Sequence, residues 1–77
     1  MNENINFKKL EAEKKYTKKE VERYINWIIV QLDKIKINSQ DILALGRYRD
    51  SMIKGELLPE KAFRLAKNIL YGNQTFN

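Results

Sequence analysis

From Val21 to Leu70 the apolar residues return at intervals of three and four, and nowhere is alternation at two sustained. Such spacing puts apolar side chains on one stripe of an α-helix and denies a β-strand its buried face. The chain is therefore expected to be all-α. It has 77 residues, enough for one small domain with a single modest core. Its longest uninterrupted apolar run, Trp27-Ile28-Ile29-Val30, is far short of the roughly 20 residues a membrane-spanning helix needs.

Helix boundaries follow from local chemistry. Thr17-Lys18-Lys19-Glu20 has the form of a capping box, in which a Thr hydroxyl and a Glu carboxylate satisfy free backbone N–H groups. Behind it Val21, Tyr24, Ile25, Ile28, Leu32 and Ile35 share one face, and the first helix is expected to end near Ile37-Asn38. Ser39 reads as the cap of a second helix running from Gln40 to Lys54, with Ile42, Leu45, Tyr48, Met52 and Ile53 turned inward and Gly55 as its left-handed stop. Gly46, inside that helix, marks a close helix crossing or an unrecognised boundary. Pro59 opens a third helix with Ala62, Phe63, Leu65, Ala66, Ile69 and Leu70 buried, closed by Tyr71-Gly72. The expected architecture is a compact three-helix bundle over residues 17–72. A basic N-terminal arm, helix-permissive, occupies residues 1–16, and a frayed tail occupies residues 73–77.

Composition removes most chemistry. Without a single Cys or His the chain offers no disulfide, no thiolate, no imidazole base and no zinc site of the usual donors. The paired carboxylates Glu11/Glu13 and Glu20/Glu22 lie two apart and do not face one another on a helix, and there is no glycine-rich phosphate loop. A non-enzyme that uses no cofactor and no metal is expected. The N-terminus lacks the apolar core of a signal peptide, so the expected location is cytoplasmic, or the host cytoplasm for a phage-encoded chain.

The net charge of +5 is unevenly spread. Residues 1–19 carry six Lys against three Glu, residues 59–77 carry a net +2, and the stretch between is neutral. A basic excess suits an acidic protein surface or a nucleic acid. The abundance of Lys, Asn and Ile also matches the habit of an AT-rich coding sequence, which supplies positive charge without function and suggests a phage or other mobile element.

Two faces are candidates for recognition. Arg23, Trp27, Val30 and Lys34, with Ile37 nearby, fall roughly opposite the core stripe of the first helix. Trp and Arg dominate binding hot spots because a rigid ring and a forked donor give contact energy at little entropic cost, so this face is expected to dock a protein partner. The competing reading has Ile5, Phe7 and Leu10 of the arm folding over Trp27 and making it core. On the third helix Lys61, Arg64, Lys67, Asn68 and Tyr71, extended by Arg47 and Lys54 of the second, mix cations with Asn and Tyr as a nucleic-acid face does. A solvated charged face has the same pattern. Arg49, on the apolar side of the second helix, is expected to reach solvent or to pair with Asp33 or Glu56.

Two short stretches resemble known families. Ser39-Gln40-Asp41-Ile42-Leu43-Ala44-Leu45-Gly46, with Gly55, Pro59 and Leu65-Ala66-Lys67, resembles pieces of phage-repressor helix-turn-helix domains, although the segment between Gly46 and Gly55 is about three residues short of a turn and recognition helix. Leu45 to Asp50, Gly55 and Leu57 to Phe63 are similar to the helical hairpin of SHOCT-type domains, with Pro59 where that family has a Thr cap. The leading expectation is a small regulatory, inhibitory or adaptor protein that binds an acidic or nucleic-acid-handling protein. The alternative is a small basic protein that binds DNA or RNA directly. Neither involves a membrane, and a homodimer is open to both.

Overall fold

A computed structural model describes residues 16–35 and 39–73. The expected arm, apart from Tyr16, and the tail beyond Asn73 lie outside the described residues, as do Ile37 and Asn38. Within them the chain forms three α-helices and no strand: α1 (Lys18–Lys34), α2 (Ser39–Ile53) and α3 (Pro59–Gly72). Each packs against the other two.

Helix α1 starts where the sequence places a cap. Thr17 Oγ1 accepts a hydrogen bond from the Glu20 amide at 3.1 Å, and the extended backbone of Thr17 turns the chain into the helix. Its Val21, Tyr24, Ile25, Ile28 and Leu32 are all buried. Ile35 is a correction: the helix ends at Lys34, earlier than expected, and Ile35 becomes the C-cap with its side chain exposed. Leaving the helical path swings it off the stripe that the spacing had assigned to it.

Helix α2 buries Leu45 and Met52, with Ile42 and Tyr48 half-buried against the same core. Ile53, the last helical residue, is exposed rather than inward. The helix stops as Gly55 predicts. Gly55 has φ +85°, its amide donates to the Met52 carbonyl at 3.0 Å, and the Glu56 amide donates to the Ser51 carbonyl at 2.8 Å. These are the two bonds of a Schellman motif, which needs a left-handed residue at the position Gly55 fills. Gly46 marks neither a crossing nor a boundary. A Cβ added there meets only Arg49 Nη2, at 3.8 Å, an ordinary contact.

Helix α3 opens on Pro59 and buries Ala62, Phe63 and Ala66, with Leu65, Ile69 and Leu70 half-buried. Phe63 joins the layers: its ring lies 4.7 Å from that of Tyr24 and 5.0 Å from that of Tyr16. Among the described residues the ten that are buried are all apolar or aromatic, and half of them belong to α1.

Two polar links fix the helices relative to each other. Arg49 bonds Asn26 Oδ1 through Nη1 at 2.7 Å and its neighbour Asp50 through Nε at 3.2 Å, so its partners are these and not Asp33 or Glu56. This ties α2 to α1. At the other side Asn73 Nδ2 donates to Asp41 Oδ2 and to the Ile69 carbonyl, both at 2.9 Å, joining the end of α3 to the start of α2. Helices of 15 and 14 residues, about 21–23 Å long, are thus held together at both ends, once by the turn over residues 54–58 and once by Asp41–Asn73. They form an antiparallel hairpin. A pair crossing at the ~90–120° of a helix-turn-helix would part these far ends by tens of ångströms.

Gly46, inside α2, and Gly55, just past its end, are expected to respond oppositely to alanine. Gly46→Ala removes the entropic cost of glycine from a helix interior and should stabilise the fold by about 0.5–1 kcal/mol. Gly55→Ala forces a Cβ into the left-handed region and should cost about 1–2 kcal/mol. Thermal unfolding followed by circular dichroism reads both, since ~1 kcal/mol moves the midpoint of a domain this small by about 4–8 °C.

Candidate functional site

The outward face of α1 is set by its inward one. With the core stripe centred on Ile28, Arg23, Val30 and Lys34 project away from it, and all three are exposed, Val30 to 49%. Lys34 sits in the last turn, where its charge also complements the helix dipole. Trp27 stands apart from these three. It is half-buried and packs against the core. The expected four-residue patch is therefore an exposed apolar side chain between two cations, with one edge of an indole beside it. Ile37 lies outside the described residues, as do Ile5, Phe7 and Leu10.

The second face runs along α3. Lys61, Arg64, Asn68 and Tyr71 are exposed, while Lys67 is half-buried with its Nζ 5.5 Å from the centre of the Tyr71 ring. Arg64 pairs with Glu60 one turn earlier at 3.0 Å, an exposed ion pair of small energetic weight. Arg47 is exposed on α2, and Lys54 is exposed in the turn that follows it, at the end of the hairpin from which α3 starts. Of the five cations assigned to this face, then, Arg64 is already partnered and Lys67 is drawn over a ring. What remains is more dilute than the sequence pattern implies.

Sequence reasoning missed a third feature. Leu58 occupies the N-cap position of α3 with the extended backbone proper to a cap, yet it makes no side-chain cap bond, and it is 72% exposed. It borders a half-open groove of about 440 Å³ lined also by Glu60, Lys61, Arg64 and Leu65, along the first two turns of α3. The signal was legible: Leu directly before Pro59 stands where Ser, Thr, Asp or Asn would be preferred.

Among the described residues no three carboxylates gather closely enough to hold a metal ion, and no helix is long and apolar enough to cross a membrane. Comparison of the chain with protein-family models, with curated proteins and with solved structures gives no match. The surfaces must therefore be judged on their own chemistry.

Leu58→Ser is expected to stabilise the protein. It supplies the missing cap, worth about 1 kcal/mol, and removes a side chain that buries little. A higher urea midpoint with an unchanged slope checks it; a lower midpoint would mean that Leu58 contributes to the core.

Proposed function

We propose that this chain is a small non-enzymatic regulatory or adaptor protein that acts by docking on a protein partner. The observation that carries the reading is the outer face of α1. Val30 is half-exposed between Arg23 and Lys34, and neither cation is bound in an ion pair among the described residues. Lone apolar side chains are ordinary on protein surfaces, and cations at helical spacing are ordinary too. Their conjunction with the edge of Trp27 gives an apolar centre with a charged rim, the anatomy of a protein interface. The rim chemistry suits an acidic surface, and the net charge of +5 speeds the encounter with one.

The dilution of the α3 cations favours this reading over direct nucleic-acid binding, as does the hairpin arrangement of α2 and α3. A cytoplasmic setting belongs to the same proposal.

The test is Arg23→Glu combined with Lys34→Glu. Both side chains are exposed, so the thermal midpoint should stay near that of the parent chain. Retention of the partner on immobilised protein should fall at least about tenfold, since like charges now face it. Retention unchanged by the double reversal sinks the α1 reading. A mobility shift on DNA or RNA that weakens steeply between low and moderate salt would put the nucleic-acid reading in its place.

A further inference from the structure

We infer that the seam between α1 and α3 is a docking site whose occupant is the chain's own segment 1–15. Arg23, Val30 and Lys34 take no part in it, so it stands apart from the partner reading.

The described chain begins at this seam. Tyr16 is half-buried, and its ring lies 5.0 Å from that of Phe63 on α3. The segment that precedes Tyr16 is therefore anchored beside α3. Tyr24 of α1 stacks on the same Phe63 at 4.7 Å, and Trp27, three residues on, is the neighbour of Tyr24 along the helix. On α3, Leu70 follows Phe63 by seven residues, two turns along the same stripe. Tyr16, Trp27 and Leu70 all pack against the core, and all are only half-buried. Large apolar side chains left half in water around one ring forfeit transfer energy that a covering segment recovers.

The tether decides what covers them. Ile5, Phe7 and Leu10 lie six to eleven positions before Tyr16, and Tyr24 and Trp27 lie eight and eleven after it. A segment that folds back along α1 from Tyr16 brings the two sets to the same level. Its length suffices even at the short rise of a helix, since 15 residues then measure about 22 Å and Trp27 lies about 17 Å along from Tyr16. With four Lys against three Glu the segment is nearly neutral, so it meets the cationic bundle at little electrostatic cost. A short tether holds it at an effective concentration of about millimolar, which an untethered partner segment or a second copy must exceed to displace it. The groove beside Leu58 suits it less well: Leu65 follows Phe63 by two residues and so stands on another side of α3 than the seam.

The chain has one Trp and no Cys, so one attached nitroxide reports on one ring. The full chain carrying Asn6→Cys with a nitroxide label is expected to show Trp27 fluorescence strongly quenched relative to the same chain with a diamagnetic label. The quenching is expected to survive dilution into excess unlabelled chain. Phe7→Ser combined with Leu10→Ser is expected to shift Trp27 emission to the red and to lower the thermal midpoint by at least about 4–8 °C, because two apolar side chains lose their cover. If that pair prevents folding, the labelled chain, which keeps every apolar side chain, still decides. Three results overturn the inference. One is a nitroxide at position 6 that leaves Trp27 as bright as the diamagnetic label does. Another is an emission and a midpoint unchanged by the two serines. The third is quenching abolished by excess unlabelled chain, which assigns the seam to a second copy.

Discussion

Phe63 is the contact on which the rest of the arrangement depends. It is the only large buried side chain that α3 sends into the core, the other two being Ala62 and Ala66, and it meets Tyr24 of α1 and Tyr16 just before it. The flanking alanines let α3 approach α1 closely enough for the rings to stack. Through that stack the hairpin of α2 and α3 is closed over the apolar stripe of α1, which supplies half of the buried residues. With so small a core, no side chain of this interface is redundant.

The polar links matter in a different way. Arg49–Asn26 and Asn73–Asp41 add little energy each, since both lie at or near the surface. They select a geometry. An apolar stripe slides along another at modest cost, whereas a two-ended hairpin with one fixed crossing on α1 has a single register.

Much of this was legible in the sequence, for physical reasons that can be named. The all-α three-helix architecture followed from the spacing of Val21 to Leu32 and of Ala62 to Leu70, the starts of α1 and α3 from Thr17 and Pro59, and the stop of α2 from Gly55, residues whose backbone demands are local. The failures came where a residue's fate is decided by a neighbouring element. Ile35 and Ile53 continue the apolar rhythm but sit at helix ends, where the path departs from the axis. Arg49 found Asn26 rather than Asp33 or Glu56, because which turn of α1 faces α2 is a tertiary fact. Trp27 lies on a flank that periodicity places away from the core, yet it is half-buried and packs against the core residues. Leu58 directly before Pro59 is an unusual cap that the sequence reading passed over, and its exposure is decided by packing.

The side chains that hold the bundle are distinct from those that face outward. The most direct test is the urea unfolding of a variant with Arg23, Val30, Lys34 and Leu58 all replaced by alanine, compared with the parent chain. Since none of the four is buried, the midpoint should remain within about 0.5 kcal/mol of the parent's stability, with the same slope. A loss of about 2 kcal/mol or more, the scale of a core truncation, would mean that these side chains are part of the fold and not free for a partner.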